Sequence, residues 1–195
     1  MTVAFVLGNG QSRSGLNLNQ IKPLGPIYGC NGLYRDFDPD CLVATDRPIA
    51  EEIQRSGYSK KHRFYTRRPL PDLGAFVIPT KYHGNSSGPA ACAIAAMDGH
   101  ERIYLLGYDM GPTPSMRFNN VYAGTEFYKG LDAAPTFTGN WIKQLTTVSQ
   151  DFPKTKFIRV CGVTSADITE LKNIENFENI DIKLFQYRID TTDGL

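Results

Sequence analysis

The chain has few histidines, no paired cysteine spacing and no excess of one charge, and each shortage removes a class of function. Cys30, Cys41, Cys92 and Cys161 show no Cys-x-x-Cys or Cys/His spacing. Neither a zinc site nor a disulfide framework is therefore expected, and the thiols read as reduced and mostly buried. Lys and Arg total 21 against 20 Asp and Glu, a net charge of +1, which leaves no electrostatic footprint for duplex nucleic acid or an anionic membrane. The densest basic run, Lys60, Lys61, His62 and Arg63 followed by Arg67 and Arg68, reads as a solvated loop. No apolar stretch reaches the roughly 18 to 20 residues of a membrane span. The N-terminus enters a predicted strand rather than a signal sequence. The expectation is a cytoplasmic protein with no nucleic-acid partner and no membrane span. No heptad or apolar stripe marks an oligomer interface.

What is present is a series of short apolar runs: VAFVLG (3–8), IYGCN (27–31), CLVATD (41–46), AFVIP (75–79), RIYLLGYD (102–109), KFIRVCG (156–162) and IKLFQYR (182–188). They have the length of strands and do not alternate, which is the habit of parallel sheets covered on both faces. Helical patterns fall between them. PIAEEIQRSG (48–57) opens on proline and stops at glycine. SSGPAACAIAAMDG (86–99) has a serine cap and exits at Gly99. NWIKQLTTVSQDF (140–152) stops at Pro153, and SADITELKNIENF (165–177) is capped by Ser165 or Asp167. The tail after Arg188 is expected to fray.

This order predicts an α/β fold: a single Rossmann-like domain over 1–195, with a mostly parallel open sheet and helices on both faces. Residues 111–139 lack periodicity and carry Tyr122, Phe127, Tyr128 and Phe137 among Gly, Pro, Asn and Thr. A loop of that length in a compact domain is expected to be a lid or a binding loop.

Ligands of doubly wound sheets bind beyond the carboxyl ends of the strands, at a switch in strand order. Asn9, Asn31, Asp46 and Asp109 fall at such ends. The GNGQS turn brings Gly8, Asn9, Gly10 and Ser12. It is no Walker loop, because the lysine is missing, and a dinucleotide fingerprint would need glycine at Arg13 and an acid at Asn31. What remains is a turn whose glycines let backbone N–H groups approach an anion, with Asn9 and Ser12 as donors. A purely structural turn is the alternative. Asn31 suits a base or sugar edge that both donates and accepts. Ser86, Ser87 and Gly88 open a helix, where free N–H groups and the dipole favour phosphate or carboxylate; an ordinary serine cap is the alternative. His83 stands either beside bound phosphate or in a solvated loop.

Taken together, GNGQS (8–12), GCN (29–31), SSG (86–88) and IYLLGYD (103–109) resemble, in order and approximate position, the motifs of small bacterial sialyltransferases that use CMP-sialic acid. The resemblance covers about the first 110 residues. It implies a Rossmann-like fold with a lid, transfer without a metal cofactor, and association of identical subunits. It also implies that Asn9, Ser12 and Asn31 hold the nucleotide's ribose, phosphate or base. Ser86, Ser87 and Gly88 would face the donor's carboxylate or phosphate, and Gly107, Tyr108 and Asp109 the cytidine.

The departures are specific. The family carries a general-base histidine shortly before the helix placed at 140–152, where this chain reads AAPTFTGNW. It also carries a pair of lid tyrosines, for which Tyr122 and Tyr128 are candidates, and an arginine before its helix start, where this chain has GNSSG. Either His83 or Asp46 replaces the histidine, or the chemistry differs. DPDCLVATD (38–46) is similar to 6-hydroxymethylpterin diphosphokinase-like proteins. That resemblance gives one alternative, a Mg²⁺-dependent phosphoryl or diphosphoryl transferase using Asp46 and Asp109, with Asp46 as a plain helix cap its bland counterpart. The other alternative is a nucleotide- or glycan-binding module without catalysis. The leading expectation is a glycosyltransferase-like protein binding a nucleotide sugar, CMP-linked by the resemblance.

Overall fold

The protein is described by a computed structural model over residues 2–195. Eight strands form one open sheet: β1 (Val3–Leu7), β2 (Ile27–Cys30), β3 (Cys41–Ala44), β4 (Phe64–Thr66), β5 (Phe76–Val77), β6 (Arg102–Leu106), β7 (Lys156–Cys161) and β8 (Phe177–Asp181). Every pairing is parallel, in the order β5-β4-β3-β2-β1-β6-β7-β8. The order runs outward from β1 in one direction and then restarts at β6 on its other side, so the switch point lies between β1 and β6.

The apolar runs do not alternate because both faces are covered. Ala4 and Val6 of β1 join one core with α3 (Ser87–Met97), α4 (Gly139–Asp151) and α5 (Thr169–Lys172). Phe5 and Leu7 join the other with α1 (Leu18–Ile21), α2 (Arg47–Arg55) and α6 (Ile182–Thr191). Residues 89–96 of α3 are all buried, which is what a helix apolar on every side requires. Its alanines let it lie close to the sheet.

Five expectations need correction. IKLFQYR is not a strand but most of α6: Asp181 caps it by accepting from the Lys183 N–H at 2.7 Å, and Phe185 and Ile189 fall four apart on its buried face. Phe185 packs edge-on against Phe5 and at a tilt against Tyr104. The helix expected over 165–177 shrinks to α5, and its end becomes the start of edge strand β8. The basic run contains β4, with Phe64 and Thr66 buried. The tail does not simply fray, since α6 continues to Thr191 and the Arg102 Nη1 donates to the Gly194 carbonyl at 2.8 Å. AFVIP keeps only two residues of strand, at an exposed edge. Among the described residues no helix is long and apolar enough to cross a membrane.

Candidate functional site

At the switch point the two turns that follow β1 and β6 interlock. The Gly8 N–H donates to the Leu106 carbonyl and the Gly10 N–H to the Gly107 carbonyl, both at 2.8 Å. A Cβ on Gly8 would stand 2.7 Å from the Gly107 oxygen, and one on Gly107, whose φ is +71°, would stand 2.6 Å from the Gly8 oxygen. A Cβ on Gly10 would meet the Asp109 carboxylate carbon at 2.5 Å. These contacts are why the sequence needs GNG here.

The same turn spends its N–H groups internally. Gln11 N donates to Asn119 Oδ1 at 2.9 Å and Ser12 N to Asp109 Oδ2 at 3.0 Å. Asn9 uses both ends of its amide, donating to the Cys30 carbonyl at 3.1 Å and accepting from Arg13 Nη2 at 3.0 Å. Arg13 also reaches the Gly8 carbonyl at 2.7 Å. The N–H groups of Gly8, Gly10, Gln11 and Ser12 therefore already have protein acceptors. Ser12 Oγ is buried with no hydrogen-bond partner among the described residues.

Asp109 is 2% exposed and organises this corner. Its Oδ2 accepts from Ser12 N, Asn119 Nδ2 and Thr164 Oγ1, the last at 2.6 Å, and its Oδ1 from Ser165 Oγ at 3.1 Å. Four donors fill the acceptor capacity of a carboxylate. From behind, the buried Arg159 of β7 donates to the Tyr108 and Asp109 carbonyls at 2.7 and 2.9 Å. Burial lowers the pKa of Arg159, and these carbonyl acceptors offset its desolvation.

The start of α3 behaves in the opposite way. Ser86 is its N-cap, yet its side chain makes no capping bond. The first-turn N–H groups of Ser87 and Gly88 have no intrahelical acceptor. Ser87 Oγ donates to Asn31 Oδ1 at 2.9 Å and accepts from Thr45 N at 3.0 Å. That network ties the ends of β2 and β3 to the helix, and the Asn31 amide N–H₂ has no acceptor among the described residues. Asn31 sits in the left-handed region, φ +51°, which asparagine tolerates. Tyr108 Oη donates to the Gly88 carbonyl at 2.8 Å. Burial raises its pKa well above the ordinary phenol value, with Cys92 and Cys30 close by, so it remains a neutral donor.

Between these elements opens a cleft of about 410 Å³. Gly8, Asn9, Gly10, Asn31, Asp46, Ser86, Ser87, Gly88, Gly107, Tyr108 and Asp109 all contribute to its wall. Asp46 precedes α2 without capping it through its side chain. Its carboxylate is exposed and has no partner among the described residues.

His83, Tyr122 and Tyr128 are not in this wall. His83 is exposed, with its Nε2 3.0 Å from the Arg67 carbonyl. Tyr122 donates its hydroxyl to Asp36 at 2.8 Å, and Tyr128 accepts from the Gly32 N–H at 2.8 Å. The two rings pair at 5.4 Å, with Arg35 over both. Burial pushes the Tyr128 hydroxyl up to about 12 and Tyr122 higher. These tyrosines pin the 111–139 segment to the turn after β2 instead of facing a ligand. The segment is further tied down by Asn119 and by the Val121 N–H, which donates to the Asn9 carbonyl at 2.7 Å. Its far end brings Phe137, 76% exposed, together with Asn140 and Trp141 to the cleft.

Sequence reasoning missed Arg67. It follows β4, lines the cleft, and clamps the loop before α3 through the His83, Gly84 and Asn85 carbonyls at 2.9, 3.2 and 2.8 Å. Arg63 is committed too, as a bidentate partner of Asp98 at 2.6 and 3.0 Å. The signal was FYT between the basic residues, a strand that delivers the following side chain to the carboxyl edge. Cys30, Cys41 and Cys92 are buried and Cys161 half-buried, all free. Burial raises the thiols, Cys41 and Cys92 up to about 12. Among the described residues no three His, Cys, Asp or Glu side chains group to hold a metal ion.

No protein-family model matches the chain, and no curated protein matches it. A solved structure does: the sialyltransferase CstII from Campylobacter jejuni in complex with a substrate analogue, cytidine-5'-monophosphate. The match covers 82% of this chain and 79% of that one, with a TM-score of 0.52 and 12% identity. The fold is shared with a sialyltransferase. At that identity the sialyltransferase likeness carries the sheet and its connections.

Proposed function

We propose that the cleft binds a cytidine-type nucleotide sugar and that the protein transfers the sugar to an acceptor hydroxyl. The observation that carries this reading is the start of α3. Ser86 Oγ and the N–H groups of Ser87 and Gly88 have no protein acceptor among the described residues and border a cleft at the switch point, where a helix N-terminus favours an anion. The sialyltransferase-like fold supports the same assignment. Asn31, with a free amide N–H₂, serves the ribose or base. Phe137 and Trp141 offer aromatic faces at the rim.

Asp46 is the proton acceptor in this reading, because it is the one cleft carboxylate without a partner among the described residues. The acceptor oxygen bonds to the anomeric carbon, the bond from that carbon to the nucleotide phosphate breaks, and its electron pair leaves with the phosphate. The hydroxyl proton passes to Asp46. Free N–H groups at the helix start stabilise the departing phosphate. A magnesium-bridged reading through Asp46 and Asp109 has less support, since the Asp109 oxygens already accept four protein donors.

Calorimetric titration with CMP tests the binding half. CMP is expected to bind without Mg²⁺, and Asn31→Ala to weaken it about tenfold, the loss of one well-formed hydrogen bond. No binding of cytidine or uridine nucleotides at millimolar concentration would overturn it. For the chemical half, Asp46→Asn is expected to lower donor turnover, hydrolysis included, by about 10²–10⁴-fold at unchanged CMP affinity. Binding with no turnover of any donor by the unmodified chain would instead favour a non-catalytic module. The absence of His83, Tyr122 and Tyr128 from the cleft wall is what supports that second reading.

A further inference from the structure

On the far side of Asp46 the cleft continues into a second cavity of about 180 Å³, which shares Thr45, Asp46 and Arg67 with it. Its floor is rigid. Gln54 is fully buried, donates to the Ala50 and Arg68 carbonyls at 3.0 and 3.4 Å, and accepts from the Leu70 N–H at 2.6 Å. Its walls carry three guanidinium groups, Arg47, Arg67 and Arg68, against Asp46 and Glu51. Arg47 is neutralised by Glu51 at 2.7 Å. Arg67 is fixed by backbone carbonyls and meets no carboxylate. Arg68 has neither a side-chain hydrogen bond nor an ion-pair partner among the described residues.

We propose that this annex is the acceptor subsite and that it takes an acidic carbohydrate, a uronic acid or a sugar phosphate, whose charged group pairs with Arg68 and Arg67. This rests on the preceding reading, in which Asp46 receives the acceptor's proton. A proton acceptor lies between donor and acceptor, and the donor side of Asp46 is the nucleotide cleft. The Arg68 fork, together with the Nη1 of Arg67, whose Nε and Nη2 are held by carbonyls, matches a carboxylate or phosphate. Asp46 at the mouth takes hydroxyl hydrogens and repels a bare anion. A ligand that satisfies both ends carries hydroxyls on one side and negative charge on the other.

The test is calorimetry on the full chain with CMP present, titrating methyl glucuronide, galactose 6-phosphate, methyl galactoside and inorganic phosphate. The acidic sugars are expected to bind at least about tenfold more tightly than methyl galactoside and inorganic phosphate, as a charge-assisted hydrogen bond implies. In Arg68→Ala that preference should fall to about twofold or less, with CMP affinity unchanged. CMP binding without any acidic preference, or a preference that survives Arg68→Ala, overturns the annex alone. An Arg68-dependent preference in a protein that does not bind CMP overturns the nucleotide reading and keeps the annex as a sugar site. In a separate titration with CMP-N-acetylneuraminic acid in place of CMP, an Arg68→Ala effect seen only there assigns the annex to the donor and overturns the acceptor assignment.

Discussion

Two glycine-bearing turns border the cleft, and they have opposite economies of hydrogen bonding. GNG after β1 commits both glycine N–H groups and its one amide side chain to the protein itself, and its glycines are there because another turn lies against them. SSG at the start of α3 leaves donors open. Both match the same family of motifs by eye. The difference teaches that a glycine turn binds an anion only if its donors remain free, and free donors are a property of what surrounds the turn.

The largest expected effect falls on the closed turn. Asp109→Ala strips four donors of their acceptor and is expected to cost about 3–5 kcal/mol in urea unfolding, the range for breaking a buried charge network. A loss below about 1 kcal/mol would mean that the interlock does not hold the corner together. Next comes Gly10→Ala, whose new methyl meets the Asp109 carboxylate and the Gly107 carbonyl; about 1–3 kcal/mol of overpacking is expected. The smallest effect on stability, and the one that inverts the comparison, is Ser86→Ala. A serine that made a capping bond would cost about 1 kcal/mol. Here less than about 0.5 kcal/mol is expected, while CMP affinity falls about tenfold. A full cap's worth of destabilisation with unchanged affinity would make SSG an ordinary helix start and erase the contrast.

Much of the sheet was legible because buried strands announce themselves as unbroken apolar runs. VAFVLG and RIYLLGYD, the pair that defines the switch point, were readable from composition alone. β4 and β8 were not: three residues amid basic neighbours, and an edge strand reading FENID, carry too little apolar signal. α6 was misread because Ile182, Leu184 and Phe185 crowd together, although Asp181 as a cap and the spacing of Phe185 and Ile189 mark a helix. At the site, strand-end logic brought Asn9, Asn31, Asp46 and Asp109 to one cleft, and the helix-start reading added Ser86. It could not reveal which donors were already used. Ser12 and Asn9 looked like ligand groups because side chains that hold a turn together and side chains that hold a ligand are the same residue types. Arg67 was hidden with β4, since a residue's edge of the sheet is unknown until its strand is.

The contact between Gly8 and Gly107 has a consequence for how this chain compares with others. Each carbonyl occupies the space where the other residue's methyl would go, so neither position can change without moving the strand beside it, whatever the cleft holds. A lineage that lost its ligand altogether would still be compelled to keep both glycines. The dipeptide pattern that first catches the eye is thus a record of how two strands end against each other, and it persists independently of chemistry.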